Sequence, residues 1–231
     1  MSGRVVKRAY KYRFYPTPQQ VDLLNRTFGC VRYVYNRALA ERSRAWTLEQ
    51  RRVNFAETCR MLTAWKTEPD TAWLYEVSNV ALQQGLQHLQ TAYVNFWGKR
   101  AKYPTFKSKH KSRASATFTR MGFSYRDGLV RLAKCAAPLD IVWSRPLPEG
   151  SDPSTVTVSR DAAGRWHISI LVEATVEALP ASPDAVGVDV GVFLFRLADE
   201  RAGGLELAGL DVGDGLGVGG EEFLDKSDEG R

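Results

Sequence analysis

The sequence contains little cysteine: Cys30, Cys59 and Cys135 are its three thiols in 231 residues. Their number is odd, they lie far apart, and no two of them form a CxxC pair. They therefore provide neither a disulfide framework nor the paired thiols of a zinc element. We expect three packed thiols in a reducing compartment, which favours the cytoplasm, and we expect no zinc in this chain.

Long apolar runs are also missing. No stretch reaches the roughly 18 apolar residues of a membrane-spanning helix. The basic start MSGRVVKRAY is not followed by the apolar segment of a signal peptide. We therefore expect a cytoplasmic protein with no membrane partner. A composition of 44% hydrophobic and 25% charged residues suits a chain of this length with a buried core.

Acidic residues are scarce in the first half of the chain. Residues 1–113 contain 21 Lys and Arg against 7 Asp and Glu, whereas residues 183–231 contain 4 against 12. An excess of cations interleaved with aromatic rings is typical of proteins that bind nucleic acids, because each neutralised phosphate releases counterions. The alternative is a charged surface that keeps the protein soluble.

Residues 99–113 contain seven cationic residues and no acidic residue. Pro104 and the lack of apolar periodicity exclude a packed helix here. Cations that bind phosphates, together with rings that stack on bases, predict binding to RNA or to unwound strands. The predicted contact residues are Lys99, Arg100, Lys102, Tyr103, Phe106, Lys107, Lys109, Lys111 and Arg113.

A second basic face is a candidate on the helices that precede this stretch. Its arginines are as typical of an ordinary solvated surface as of a binding face. The helical aromatic residues are expected to pack in and between helices rather than to stack on bases. The arginines are Arg32, Arg37, Arg42 and Arg44, and the aromatic residues are Tyr33, Tyr35, Trp65, Trp73 and Trp97.

Hydrophobic periodicity predicts one strand followed by helices. Basic and aromatic residues alternate in RAYKYRFY (8–15), which predicts a strand that Pro16 ends. The following TPQQ predicts a helix start with Thr17 as N-cap and a capping box. Gly29 is expected to break or bend this helix before a second one. Apolar residues at helical spacing then continue to about residue 97.

Beyond residue 113 the period is that of strands. Asp127-Gly128 predicts a hairpin, and residues 154–174 predict two alternating strands around a turn. Since the N-terminal strand needs partners, we predict an α+β fold. It comprises a split, wedge-like β-barrel domain (1–16 and 99–178) with a helical bundle (17–98) inserted after the first strand.

Residues 185–231 follow the proline-bearing linker EALPASPD. Their first segment, AVGVDVGVFLF, has the pattern of a buried strand but contains Asp189, where an unpaired charge is costly. On this pattern alone, Asp189 is an edge residue facing solvent or a functional carboxylate. The sequence after Val192 is rich in glycine and acid and predicts a poorly ordered tail.

Four separated stretches resemble the TnpB/OrfB family of bacterial and archaeal insertion sequences, which are transposon-encoded RNA-guided nucleases related to type V CRISPR effectors. YKYRFYPTPQQ is similar to the opening strand and helix of the family. FGCVRYVYNRAL is similar to its OrfB helix-turn-helix motif, and AKYPTFKSK to its basic stretch after the helical insertion. GVDVGV resembles the first strand of its RuvC-like, RNase-H-type nuclease domain. Order and spacing agree over residues 7–195.

The resemblance implies an RNA-guided DNA endonuclease with guide RNA and DNA as partners. It implies that residues 185–231 begin an RNase-H/RuvC-like α/β domain. Asp189 would then be its first catalytic residue and the first ligand of a two-Mg²⁺ site. The family carries a Glu and another Asp well downstream of this strand. The candidates here lie in glycine-rich sequence without the spacing of a βαβ unit; they are Asp199, Glu206, Asp211 and Asp214. We therefore expect an incomplete nuclease that binds nucleic acid in a salt-sensitive manner without Mg²⁺-dependent cleavage.

Three alternatives stay open. The chain could be a nuclease-dead, RNA-guided regulator that occupies DNA, or the remnant of a decayed insertion sequence. It could also be an enzyme for which a partner supplies the remaining acids in trans. The sequence predicts no oligomeric state.

Overall fold

The structure is a computed structural model and describes residues 4–148, 150–176, 189–190 and 193–194. The chain forms two compact units, Met1–Ala178 and Leu179–Arg231. In the second unit the described residues are two short antiparallel strands, Asp189–Val190 and Phe193–Leu194. The rest of the predicted nuclease segment, 185–231, and its predicted tail lie outside the described residues.

The first unit opens with strand β1, Arg4–Tyr15, and helix α1, Pro18–Glu49. The predicted capping box at the start of α1 is confirmed. The Thr17 hydroxyl accepts a hydrogen bond from the Gln20 N–H at 3.3 Å, and the Gln20 side chain accepts one from the Thr17 N–H at 3.1 Å. Two of the free N–H groups at the helix start are satisfied in this way.

Two further helices complete the insertion, α2 at Phe55–Thr67 and α3 at Asn79–Trp97. A 3₁₀ helix at Pro69–Glu76 connects them. Each helix buries one stripe, with Leu39, Leu62 and Leu82 at 2% exposure or less. In the described part of the chain, no helix combines the length and hydropathy of a membrane span.

Helix α1 continues through Gly29, so the predicted start of a second helix after this residue is wrong. A glycine in a helix interior costs about 1 kcal/mol relative to alanine. The neighbouring Phe28, Cys30 and Val31 are buried, and their burial contributes more than that cost. Tertiary packing therefore keeps α1 helical at Gly29 in spite of the low helix propensity of glycine.

We predict that Gly29→Ala raises the free energy of unfolding by about 1 kcal/mol. A Cβ at this position would meet no atom within 4 Å, so the gain in helix propensity has no steric cost. Gly85→Ala is the matched control in α3. Its Cβ would lie 3.2 Å from Val31 Cγ1 and 3.4 Å from the Val31 carbonyl oxygen, and overpacking costs about 1–3 kcal/mol. Urea denaturation of both variants measures the difference, and a destabilised Gly29→Ala variant would contradict the prediction.

Six described strands follow α3 in the first unit. They are β2 at Ala114–Thr119, β3 at Phe123–Arg126, β4 at Leu129–Leu132, β5 at Asp140–Val142, β6 at Thr155–Arg160 and β7 at Trp166–Val176. Five strands form an antiparallel sheet with the order β2-β6-β7-β1-β5. Strand β1 therefore lies inside the sheet, and the three helices are inserted between it and β2.

The predicted strand pairs are present, but the described strands do not close a barrel. Val156 pairs with Ile170 and Val158 with Ile168 across the two strands predicted in residues 154–174. Strands β3 and β4 form a separate hairpin around Asp127-Gly128, both at positive φ, as a type I′ turn requires. The fold is a mixed α+β fold with an open antiparallel sheet.

One face of this sheet packs on the helices and forms the core. Trp166 of β7 stacks on Phe28 of α1 with ring centroids 5.8 Å apart and meets Phe14 of β1 edge-on at 6.0 Å. Tyr12, Phe14 and the apolar residues of β6 and β7 point to this face. Side chains alternate along a strand, so the opposite face of the sheet carries the polar residues.

Candidate nucleic-acid interface

The acid-free stretch, residues 99–113, connects the end of α3 to β2; we call it the cationic loop. It leaves α3 in a fixed direction, since the Arg100 and Ala101 N–H groups both donate to the Asn95 carbonyl, at 2.8 and 3.2 Å. Loops usually vary in conformation, so the anchors along this one decide which of its side chains are presented outward.

Tyr103 is the first anchor. Its hydroxyl hydrogen-bonds to the Ser43 hydroxyl of α1 at 2.9 Å and to the Tyr93 hydroxyl of α3 at 3.0 Å. Its ring also meets Phe96 edge-on at a centroid distance of 5.2 Å. Tyr103 therefore fixes the loop to two helices, while 45% of its surface stays exposed.

Lys107 is the second anchor. The Asn36 side-chain amide donates to the Lys107 carbonyl at 2.9 Å and accepts from the Lys107 N–H at 2.8 Å. The Lys107 ammonium lies 4.0 Å from the centroid of the Tyr35 ring. Burial lowers the pKa of Lys107. This predicted contact residue is thus engaged with α1 rather than directed into solvent.

Between these anchors and β2, a turn presents side chains outward. The Lys111 N–H donates to the Ser108 hydroxyl at 2.9 Å, and the Ser108 N–H donates to the Ser112 hydroxyl at 3.1 Å. Phe106, which lies between the two anchors, is 62% exposed. Within the described residues, six exposed loop cations have no carboxylate oxygen within 4.0 Å. They are Lys99, Arg100, Lys102, Lys109, Lys111 and Arg113.

The arginines on α1 have different surroundings. Arg37 forms a two-pronged ion pair with Glu68, at 2.8 and 3.0 Å, and its guanidinium lies 4.7 Å from the centroid of the Trp65 ring. Hydrogen bonding from Arg37 lowers the pKa of Glu68. Arg44 pairs with Glu41 at 2.8 Å. Two members of the predicted second basic face are therefore already neutralised.

Arg32 does lie near the cationic loop. It lines a small cavity of about 40 Å³ together with Lys107 and Arg113. The structure thus brings Arg32, but not Arg37, together with the loop residues predicted to bind nucleic acid.

The polar face of the sheet is a surface that the sequence reasoning missed. Lys11, Arg113, Thr157, His167 and Ser169 are among the residues that line a cavity of about 310 Å³ on this face. Arg113 donates to the Ser159 hydroxyl at 3.0 Å. Burial, together with the nearby charge of Lys11, lowers the pKa of His167, so this imidazole is neutral at pH 7.

A signal for this face was present in the sequence. Serine and threonine alternate with apolar residues in ASATFT, TVTVSR and HISI, so the same alternation that predicts a buried face also predicts a row of hydroxyl groups opposite it. The register places four of the polar residues in one row across the sheet: Thr117, Thr157, Ser169 and Lys11.

Comparisons with known proteins bear on the family to which this chain belongs. The family model of the OrfB helix-turn-helix domain matches residues 1–51. A protein of Streptomyces pristinaespiralis, named "Putative RNA-guided DNA endonuclease", is 60% identical over 187 residues, which are 81% of this chain and 46% of that protein. The chain belongs to the TnpB/OrfB family. "Putative RNA-guided DNA endonuclease InsQ" of Escherichia coli (strain K12) is 31% identical over 80% of this TnpB/OrfB chain and 45% of its own length.

The TnpB/OrfB chain therefore spans less than half the length of these two relatives. Among solved structures, a chain of a Cas12f1-sgRNA-target DNA complex matches 76% of this chain and 49% of its own, at 12% identity and a TM-score of 0.35. The helix-turn-helix match covers β1 and α1, which form a strand and one continuous helix.

Asp189 is described in its backbone only. It begins a two-residue strand and pairs with Leu194. In the described part of this TnpB/OrfB chain, no three His, Cys, Asp or Glu side chains cluster as metal ligands would. The described carboxylates therefore provide no arrangement that fits Mg²⁺.

Proposed function

We propose that this chain is the nucleic-acid-binding part of an RNA-guided DNA endonuclease, with a guide RNA and DNA as its partners. The names of the two relatives support this function. The observation that carries the proposal is the cationic loop, which presents six exposed cations without carboxylate partners in the described residues. A polyanion gains most affinity from such charges, because no internal ion pair has to be broken first.

The anchors of the loop make this surface suitable for binding. Tyr103 and Lys107 hold the loop on the helices through four hydrogen bonds, so binding orders fewer residues and loses less entropy. The adjoining sheet face adds hydroxyl groups and Lys11. Hydroxyl groups are suited to phosphate oxygens and to the 2′-OH groups of RNA.

Each segment of the chain has its own role in this proposed function. Residues 1–16 and 99–178 would be a wedge-like β domain, and the helices in residues 17–98 a recognition lobe. Asp189 would be the first Mg²⁺ ligand of the nuclease of the whole protein, a role supported by the resemblance of GVDVGV to the RuvC-like first strand. Asp189→Asn is accordingly expected to leave RNA binding unchanged.

The test is to purify the chain and to sequence the nucleic acid that remains bound to it. We expect sequencing to find one predominant RNA species, and we expect a DNA complementary to it to bind the RNA-containing complex more tightly than a scrambled DNA. Digestion with ribonuclease should remove this preference, because base pairing with the RNA supplies the sequence specificity. A complex that holds no RNA, or that binds both DNAs equally, would contradict the proposal.

A further inference from the structure

A cavity of about 290 Å³ lies where the C-terminal ends of α1 and α3 meet the cationic loop. We call it the arginine–tryptophan pocket. Its volume is near the lower limit of about 300 Å³ for small-molecule sites. It is lined by Arg42, Trp46, Arg51, Arg52, Val53, Tyr93, Phe96, Trp97 and Tyr103.

Arg42 is a buried cation in the wall of this pocket, with 6% of its surface exposed. It donates one hydrogen bond, to the Gln90 side-chain oxygen at 2.9 Å, and its guanidinium lies 4.0 Å from the centroid of the Tyr93 ring. Among the described residues no carboxylate lies within 4.0 Å of it. A buried charge normally has an ionic partner, as Arg37 has in Glu68.

Arg52 adds a second unpaired cation at the mouth of the pocket. Its guanidinium lies 5.9 Å from the centroid of the Trp46 ring and 6.0 Å from that of Trp97. Arg51, by contrast, is neutralised by Glu49 and Glu57. Among the described residues, Arg42 and Arg52 therefore give the pocket uncompensated positive charge.

The aromatic walls of the pocket are partly open to solvent. Trp46 is 48% exposed and Trp97 is 49% exposed, although the helical spacing predicts packing for Trp97. Tryptophan rings are usually well buried, and exposed ones beside arginines are typical of surfaces that stack on nucleobases. The C-terminal end of a helix carries about half a negative charge, so the ends of α1 and α3 offset only part of the positive charge of Arg42 and Arg52.

We propose that the arginine–tryptophan pocket binds one unpaired nucleotide of the bound nucleic acid. Its base would stack on Trp46 or Trp97, and its phosphate would lie against Arg42 and Arg52. The volume admits a single nucleotide and excludes a duplex. Tyr103 belongs to both the pocket and the cationic loop, so a strand that follows the loop passes the mouth of the pocket. This inference rests on the proposed function.

The test uses adenosine 5′-monophosphate as the probe, with tryptophan fluorescence and calorimetry as readouts. Trp46→Ala and Arg52→Gln change exposed side chains, so both variants should fold. We expect each to weaken binding of the nucleotide by at least about fivefold. The matched controls, Trp73→Ala and Arg60→Gln, change side chains that do not line the pocket and should bind the nucleotide like the original chain.

Two further probes separate the parts of the site. Ribose 5-phosphate lacks the base and adenosine lacks the phosphate, so both should bind more weakly than the nucleotide. Equal binding of the nucleotide and ribose 5-phosphate, or an unchanged affinity in both pocket variants, would overturn the proposal.

Failure of this inference and failure of the proposed function give different results. If the original chain binds a single-stranded RNA oligonucleotide but not the nucleotide, the pocket assignment is wrong and the proposed function stands. If it binds the nucleotide but no oligonucleotide, the proposed function is wrong, and the pocket is a site for a free nucleotide instead.

Discussion

Replacing Arg100, Lys102, Lys109 and Lys111 together with glutamine is expected to lower the affinity for single-stranded RNA by at least about a hundredfold at low salt. These side chains are exposed and have no ion-pair partners within the described residues. Each phosphate contact contributes about 0.7 to the slope of log affinity against log salt for single strands. The slope should therefore fall by about 3, as measured by fluorescence anisotropy over a range of salt concentrations.

A second four-charge variant controls for net charge. Residues Arg60, Arg126, Arg131 and Lys134 are equally exposed, and three of them lie on or beside the β3–β4 hairpin. Gly122, just before β3, lies against Val80 at the start of α3, whereas Arg100 and Lys102 of the cationic loop follow the other end of this helix, about 28 Å away. We expect the control to change the affinity by less than about tenfold. Equal losses in both variants would show that net charge, and not the loop, determines binding.

Phe14→Ala is expected to lower the free energy of unfolding by about 3–5 kcal/mol. Phe14 is 1% exposed, and its ring packs edge-on against Trp166, so its removal leaves a cavity between the sheet and the helices. Natural domains have a total stability of about 5–15 kcal/mol, and the variant would therefore lose much of it. Urea denaturation followed by circular dichroism measures the change.

Tyr15→Ala is the control for this substitution. Tyr15 follows Phe14 in the same strand, points to the opposite face and is 58% exposed. Its ring contacts the Arg13 guanidinium at 5.7 Å, and an exposed cation–π contact contributes about 0.5–1 kcal/mol. If both variants lost the same stability, Phe14 would not be part of the core described here.

Arg37 and Arg42 are candidates for the same basic face in the sequence, but they have different partners in the structure. Arg37 has Glu68 as its ionic partner and ties α1 to the segment after α2. Arg42 has an amide and an aromatic ring as neighbours, and an open pocket beside it. The first is structural, whereas the second has the unsatisfied charge that a ligand can neutralise.

The sequence by itself determined the features that depend on near neighbours in the chain. Alternation along β1 identified it as a strand, Thr17 and Gln20 identified the start of α1, and Asp127-Gly128 identified the hairpin. Each of these depends on contacts within a few residues, which the order of residue types already specifies. The cationic loop was found in the same way, because charge density is a property of the sequence.

Only the tertiary structure decided which side chains are free to bind. Glu68 lies 31 residues from its partner Arg37, and Asn36 lies 71 residues from Lys107, so sequence spacing could not show that these pairs form. Packing of its neighbours likewise keeps α1 helical at Gly29. The arginine–tryptophan pocket forms where the C-terminal ends of α1 and α3 lie next to Tyr103. The physical reason is that burial and ion pairing depend on distances in space, which the folded chain sets between residues far apart in sequence.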